Sequence, residues 1–551
     1  MFKRNRLYAF LLLGFLIIFA YGRWQPSPIL SNDAFQYLDA ADNLLSKGVL
    51  GTSLAVFEEQ VDWGRFPVPL THFPPAYPIL IAALGHAGIS LPMAGYIIAV
   101  AAYLAVLWLI LEMCALLAVD TLITALLGLL WASNYYALML GSMVGTDVAF
   151  TALTAVFAAL ILYDLRAGGR RPFLLIPMGL VVGVAYSFRY AGLFLIPTLC
   201  LYFAWRWACN RRLWPWVAGG LLAAAMVIAP IMIRNAQTIG SWRGGHTDGG
   251  GLPPVVVLFY FFKAVLEVPL GPIATWRLGV STVTLLLGAA YLVVRQVRVS
   301  RRVQGSAGPP AFTRQTVTWM AILSAIYALG IILTELTAFA WDTRYYFPLY
   351  PLALVGLGVF LTPASNVRSR IACAICAISL LAYNARSVGG PFYSSPAIRM
   401  ESWLQQEVEP GVSMKTWLQR HARGGEGLVS VDGQAVHFVT GLPVLSIIPA
   451  YISTRKWDEA MLRDLMRRFK APYVLVFPGA GPNDVVEQRI PLFKGLAMGS
   501  APSWLTVAAR SRDGLIYSCG DCVNELAANR ATGQRPPFAS RLSSSSNERA
   551  H

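Results

Sequence analysis

Over its first two-thirds the chain alternates long apolar runs with short polar breaks, and then the rhythm changes. A membrane-crossing helix needs roughly 20 mostly apolar residues. Eleven runs approach that length: Leu7–Trp24, Ala94–Ala118, Thr121–Leu140, Asp147–Leu165, Pro172–Phe188, Tyr190–Ala208, Leu213–Ile233, Ala274–Arg295, Gln315–Leu336, Arg344–Leu361 and Arg370–Val388. Two further apolar stretches fit poorly as spans. Ala76–Leu91 is short and broken by Gly85, His86 and Gly88, and Pro254–Leu270 carries Lys263 and Glu267. Both are predicted to be interfacial or re-entrant helices on the outer face. The run Leu7–Ala20 behind Lys3-Arg4-Asn5-Arg6 also has the form of a signal peptide. An uncleaved first span is the preferred reading, because more spans follow it.

From about Pro396 the apolar runs shorten. Ile398–Glu409, Val412–Ala422 and the amphipathic Trp457–Phe469 read as helices. Gly427–Val431, Pro443–Ile448 and Tyr473–Phe477 read as strands. Trp504–Ala509 and Leu515–Ser518 read as a hairpin around Arg512-Asp513-Gly514. The expected architecture is a polytopic α-helical membrane protein of about eleven transmembrane helices with a small C-terminal extracytoplasmic α/β domain. Its expected divisions are a membrane domain over 1–392, with a first outer loop at 25–93, the α/β domain over 393–529 and a polar tail over 530–551. That tail is Ser-rich and expected to be disordered.

Charge fixes an expected orientation. The 551 residues are 56% hydrophobic and 13% charged, with a formal charge of +16. Soluble chains are about 25% charged, so an ordinary cytosolic enzyme is excluded. The basic residues cluster between apolar runs, at Lys3/Arg4/Arg6, Arg166/Arg170/Arg171, Arg211/Arg212, Arg295/Arg298/Arg301/Arg302 and Arg368/Arg370. That is the pattern of cytoplasmic loops rather than of a nucleic-acid surface. With the spans above, every cluster falls on one side. The N-terminus is then cytoplasmic, and the C-terminal domain lies outside a plasma membrane or the inner membrane of a bacterium. Tyr135, Tyr136, Trp341, Tyr345 and Tyr346 fall at the outer face, as an interfacial belt would.

The seven cysteines form no zinc framework. Cys519 and Cys522 make a lone Cys-Gly-Asp-Cys, suited to a structural disulfide outside the cytoplasm. No Gly-rich phosphate loop and no nucleophile elbow occurs.

The polar residues near the membrane gather on the outer face. The first loop opens with a helix in which Phe35, Leu38 and Leu45 share one face while Asp39 and Asp42 leave it, as in a helix lying in the interface. Asp33 at its start is either an N-cap, with Gln36 completing a capping box, or a functional acid. His72, before Pro74-Pro75, is either an acid/base or donor group or an incidental loop residue. Asp147 stands at the outer end of a span, where a carboxylate is costly and often functional. Arg189-Tyr190, Arg234-Asn235 and Asp342-Thr343-Arg344-Tyr345 mark other outer connections. Each arginine is either an interfacial anchor or part of a site for an anionic substrate.

The motifs run in a recognisable order: Asp33-x-x-x-Tyr37, Pro74-Pro75-x-Tyr77-Pro78, Thr146-Asp147, Arg189, Arg234-Asn235 after Pro230, and Arg344-Tyr345-x-x-Pro348-x-x-Pro351. This order resembles the GT-C superfamily, near the dolichyl-phosphate-mannose protein mannosyltransferases and the bacterial lipid A aminoarabinose transferase. The resemblance covers about residues 1–388. It implies a glycosyltransferase that takes a sugar from a polyprenyl-phosphate donor at the outer face and delivers it to a glycolipid, polysaccharide or protein, with inversion at the anomeric carbon. Asp33 and Asp147 match the catalytic acids. Tyr37, His72, Arg189, Arg234, Arg344 and Tyr345 are candidates for holding the donor phosphate or substrate. Many members carry Asp-Glu at the first site, and Ala34 here removes that second carboxylate. The sequence supports no metal or other cofactor. The rival expectation is a transporter or flippase for a lipid-linked anion.

The orientation is testable directly. A reporter active only in the cytoplasm, fused after Val476, should be silent in membranes that contain the full-length fusion. A strong signal would reverse the assigned sides.

Overall fold

The computed structural model describes residues 29–245, 251–271, 311–337, 342–362, 396–422, 425–447, 457–477 and 491–520, besides Gly14 and Cys522. The expected spans Ala274–Arg295 and Arg370–Val388, all of Leu7–Trp24 but Gly14, and the tail lie outside the described residues.

Among the described residues, six helices are long and apolar enough to cross a membrane: Leu91–Leu116, Asp147–Arg166, Tyr190–Cys209, Arg211–Ile239, Phe312–Thr337 and Thr343–Leu361. The count of eleven is therefore not reached among them. Two expected spans differ in form. Thr121–Leu140 is two helices, Thr121–Ala132 and Tyr135–Ser142, bent by 56° between them. Asn134 causes the break: its side chain accepts from Ala137 N at 3.0 Å and restarts the helix, and its amide donates to Val268 O at 2.7 Å. Hydropathy registers the apolar residues on both sides and does not register the cap. Pro172–Phe188 is shorter, a 3₁₀ turn at Pro172–Leu174 followed by a helix to Phe188. It ends because Arg189 is extended, with φ −147° and ψ 135°. This helix lies against Trp214–Ile239, and Gly179 meets the backbone of Gly220 so closely that a Cβ would clash. Close backbone approach at small residues is the usual way membrane helices pack.

Pro254–Leu270 is a helix, and so is Ala76–His86. The first-loop helix spans Asn32–Lys47, and it does not lie open in an interface. Ala76–His86 packs on one side of it and the C-terminal helix Gly433–Thr440 on another. Asp39 is consequently buried rather than solvated. The aromatic belt also differs from expectation. Tyr136 and Tyr346 are buried, and their hydroxyls donate to Glu267 and Glu335.

The C-terminal part forms a six-stranded sheet in the order Thr506–Arg510, Leu515–Ser518, Tyr473–Val476, Leu428–Ser430, Val444–Ser446, Leu54–Ala55. The hairpin and its join to Tyr473–Val476 are antiparallel, and the remaining pairs are parallel. Alternation along the strands divides their side chains between two cores. Leu428, Val444, Leu475, Ile516 and Leu54 face helices Pro396–Leu404, Met414–His421 and Gly433–Thr440, and this core runs on into Phe35 and Leu38. Val429, Leu445, Val474 and Tyr517 face Glu459–Arg468 and Pro491–Ala497. Burial on both faces explains the continuous apolar runs of these strands. The expected helix over 398–409 ends at Leu404, because Pro410-Gly411 turns the chain between short strands Glu407–Glu409 and Val412–Ser413. Cys519 and Cys522 form a disulfide.

The edge strand Leu54–Ala55 belongs to the first loop. That loop and the C-terminal sheet therefore lie on the same side of the helical layer. Ala55 and Leu445 are direct partners in the parallel register, within the reach of a disulfide. A protein carrying Ala55→Cys and Leu445→Cys should cross-link internally on mild oxidation, read as a reducible mobility shift after cleavage of the intervening chain. Absence of the cross-link in folded protein would contradict the shared sheet.

Candidate active site

Four segments meet at one end of the helical layer. The first is the start of the Asn32–Lys47 helix. Ser31 is its N-cap, accepting from Ala34 N at 3.4 Å, so Asp33 does not cap it. Gln36 does not complete a capping box either, since its side chain meets Gln60 at 3.4 Å. The Asp33 carboxylate is thereby left for other partners. The second segment is Gly145-Thr146-Asp147, at the start of the Asp147–Arg166 helix. Tyr77, from the Pro-Pro-x-Tyr-Pro segment, holds it: its hydroxyl accepts from Gly145 N at 3.0 Å and donates to Gly95 O at 3.1 Å. A short parallel pairing of Ile29–Leu30 with Met143–Val144 ties the first two segments together.

The third segment is Arg189, at the extended break between two helices. The fourth is Asp342-Thr343-Arg344-Tyr345, which opens a 3₁₀ turn capped by Asp342 through a 2.9 Å bond from Arg344 N.

The charges converge. Arg344 Nη1 lies 3.0 Å from Asp33 Oδ2 and 3.9 Å from Asp147 Oδ2, and Arg344 Nε lies 2.9 Å from Asp342 Oδ2. Arg189 is ion-paired to Asp147 and bonded to Thr146 Oγ1 at 3.4 Å. The Tyr345 ring meets both arginines, with its centroid 5.4 Å from the Arg189 guanidinium and 5.6 Å from that of Arg344. Tyr327 donates to Tyr345 O at 3.1 Å and fixes its backbone. Tyr37 approaches from the first helix, its hydroxyl 3.5 Å from Thr146 Oγ1 and its ring edge-on to Phe73 and Tyr77. Burial, reinforced by Asp33, raises the Tyr37 phenol well above its ordinary range and keeps it protonated.

The two acids differ in access. The Asp33 side chain is 29% exposed and that of Asp147 only 7%, so an incoming group reaches Asp33. Asp147 is held between Arg189 and Arg344.

Of the residues singled out in the sequence, Asp33, Tyr37, Asp147, Arg189, Arg344 and Tyr345 come together here. Arg234 has a different setting. Its guanidinium donates to Leu70 O at 2.9 Å and Leu50 O at 3.1 Å, bracing the first loop. His72 stacks flat on Phe57, with centroids 3.4 Å apart, and its Nδ1 is 3.4 Å from Glu59. Between the two groups, Tyr190 donates to Thr71 O at 2.8 Å and accepts from Asn235 at 2.9 Å. Sequence reasoning did not single out Tyr77, Thr146 or Asp342 as site residues. Each of the three was legible only as a member of its motif. Among the described residues no group of three or more His, Cys, Asp or Glu is placed to hold a metal ion.

No family model matches the sequence, and no curated protein matches it. Solved structures do. ArnT from Cupriavidus metallidurans superposes with a TM-score of 0.57 at 11% identity, covering 94% of this chain and 98% of its own. The same protein bound to undecaprenyl phosphate gives 0.57 at 12% identity, over 92% and 97%. The archaeal oligosaccharyltransferase AglB from Archaeoglobus fulgidus, in complex with an inhibitory peptide and a dolichol-phosphate, gives 0.51 at 10% identity, over 86% and 69%. At such identities the likeness is one of fold alone: this chain shares the fold of ArnT and of AglB.

Proposed function

We propose that this chain is a membrane glycosyltransferase that moves a sugar from a polyprenyl-phosphate donor to an acceptor hydroxyl at the outer face. The observation that carries the reading is the meeting of Asp33 and Asp147 with Arg189 and Arg344, from four separated segments, at one end of an apolar helical layer. The fold shared with ArnT, which binds undecaprenyl phosphate, supports it. So does the chemistry. A lipid-phosphate sugar brings its own leaving group, and the site must supply a base for the acceptor and cations for the departing phosphate.

In this reading Asp33, more reachable than Asp147, takes the proton of the acceptor hydroxyl. The acceptor oxygen attacks the anomeric carbon as the bond from that carbon to the phosphate oxygen breaks. The electron pair leaves with the lipid phosphate, and attack from the opposite side inverts the centre. Arg344 and Arg189 neutralise the phosphate, because a planar guanidinium matches its oxygens. Tyr345 orients both arginines through its ring, and the protonated Tyr37 hydroxyl is a neutral donor beside them. Asp147 positions both guanidinium groups. Arg234 and His72 support the loop that carries these groups rather than holding the phosphate. A transporter would instead need a polar path through the helices. The charged pair at the opposite end, Arg206 with Asp164 at 2.7 Å, is buried and locked by Tyr202.

Arg344→Lys replaces a fork by a point charge and should weaken affinity for undecaprenyl phosphate. Loss of one charged hydrogen bond, roughly 1.5–3 kcal/mol, corresponds to about 10- to 150-fold. Titration of purified protein with this lipid measures it, and unchanged affinity in Arg344→Ala would remove Arg344 from the phosphate site.

Asp33→Asn is the decisive change. Ser31 remains the cap, so the helix keeps its start, and asparagine keeps the shape without the charge. Transfer should fall by at least about 100-fold, the low end for loss of an acid–base group. Asp33→Glu should restore only part of it. The assay is the sugar-bearing product of a deletion strain complemented with each variant, followed by mass spectrometry. Full product from well-expressed Asp33→Asn would end the enzymatic reading.

A further inference from the structure

The helix that carries Asp33 is gripped from its other side by the C-terminal region. Asp39 lies on that helix, buried at 8% exposure. Its Oδ2 accepts from Thr52 Oγ1 at 2.6 Å and from Ser53 N, both in the loop strand region that joins the C-terminal sheet. Its Oδ1 faces His437 Nε2 at 3.0 Å. His437 lies on the Gly433–Thr440 helix, and its Nδ1 is 2.6 Å from the carbonyl of Leu442. A carbonyl only accepts and a carboxylate here accepts too, so both ring nitrogens need a proton. The arrangement is that of an imidazolium. One residue further, Phe438 meets Phe35 at 5.0 Å, again on the Asp33 helix.

The titratable surroundings agree. Burial by itself lowers the tendency of His437 to hold a proton, but the Asp39 charge, its hydrogen bond, the Leu442 carbonyl and Asp42 outweigh it and raise its pKa above the ordinary histidine value. Burial likewise pushes the Asp39 carboxyl up, but the His437 charge and the bonds from His437, Thr52 and Ser53 outweigh that, leaving it below the usual carboxylate range. Asp42, on the same helix as Asp39, is exposed. On the neighbouring helices, Lys415 pairs with Glu401 at 3.4 Å, Arg399 lies over the Trp403 ring, Arg420 is exposed, and His421 bonds Trp417 O at 2.8 Å.

We propose that His437 is a positioning residue of the transfer reaction: doubly hydrogen-bonded, it clasps the C-terminal region to Asp39 and so holds the Asn32–Lys47 helix, with Asp33 at its start, against Arg344. The inference rests on the function proposed above. Asp39 lies six residues after Asp33, less than two turns along one rigid helix. Loosening the clasp would shift Asp33, and misplacement of a reacting group by about 1 Å can cost about 100-fold. The sign of the pH effect follows. A histidine with a raised folded pKa contributes fully below its unfolded value and loses that contribution as pH rises through the folded one. The clasp is therefore firm below the ordinary histidine value and loosens as pH rises through the raised one.

The test uses the full-length protein in lipid nanodiscs. Hydrogen exchange of the peptide over residues 32–47 reads the clasp without substrate, with the Leu91–Leu116 helix of the same sample as internal control. In His437→Ala exchange over 32–47 should be faster. In the unmodified protein it should step up as pH rises above the ordinary histidine value by more than exchange in Leu91–Leu116 does, and in His437→Gln that step should vanish. Affinity for undecaprenyl phosphate should change by less than about 2-fold, because Arg344 is untouched, while product in the complemented deletion strain should fall by about 10- to 100-fold. Asp39→Asn combined with His437→Gln should be no worse than the more severe single change. Unchanged exchange in His437→Ala overturns the clasp. Faster exchange with full product overturns the positioning role. If Asp33→Asn still yields product, the glycosyltransferase reading fails, and exchange alone then decides whether the clasp exists.

Discussion

The structure depends on pairing carboxylates with arginines at the edge of an apolar layer. A buried ion is stable there only when its partner is close and its remaining atoms are bonded, and removing one partner of a buried pair costs roughly 3–5 kcal/mol. Asp147 at 7% exposure is the strictest case, and it draws Arg189 and Arg344 to it. Arg344 also reaches Asp33 and Asp342. Asp342 aside, each partner comes from a different stretch of chain, so satisfying the charges fixes the ends of four segments relative to one another. The chemistry and the fold share that requirement.

Around this cluster the neutral groups act as braces. Tyr77 holds Gly145 through its hydroxyl, Tyr327 holds the carbonyl of Tyr345, and Arg234 holds two carbonyls of the first loop. These bonds keep loop backbone in place where a protein would otherwise be most mobile. The C-terminal sheet extends the same principle. By taking Leu54–Ala55 as its edge strand, it covers an exposed row of backbone groups and anchors the loop from above. The Asn32–Lys47 helix is thereby enclosed between the membrane helices and the sheet's own helices, with apolar contacts running through both.

Which parts were legible in the sequence follows from the range of the interactions involved. Membrane helices announce themselves locally, and most of the described ones stand close to their expected bounds. Thr121–Leu140 differed because Asn134 acts through a distant carbonyl, that of Val268. In the C-terminal part, strands of three or four apolar residues were visible, but the two-residue strand Leu54–Ala55 has no periodicity to detect. The motifs around Asp33, Asp147, Arg189 and Arg344 pointed to residues that do meet. The caps and pairs did not show themselves. Ser31 rather than Asp33 caps the first helix, and Asp39 finds His437 almost four hundred positions later in the chain. An arginine at the outer end of a span looks the same in sequence whatever it will meet, and the two loop carbonyls that Arg234 bonds were not legible there.

The absence of a second acid at Ala34 gives Arg344 a particular part in the proposed reaction. Of Asp33 and Asp147 only Asp33 is open to an acceptor, and the Arg344 guanidinium stands 3.0 Å from its Oδ2. If that contact persisted, the Oδ2 lone pairs would be directed to the guanidinium and not to the acceptor hydroxyl. A donor phosphate resolves the conflict. It offers Arg344 a second anion with matching geometry, and any hydrogen bond that moves to the phosphate is withdrawn from Asp33. Asp33 Oδ2 is then freed toward the acceptor as the leaving group becomes neutralised. Donor binding and base activation would be two consequences of one guanidinium changing partners, and a reaction with water would be disfavoured while the donor is absent and the carboxylate remains paired.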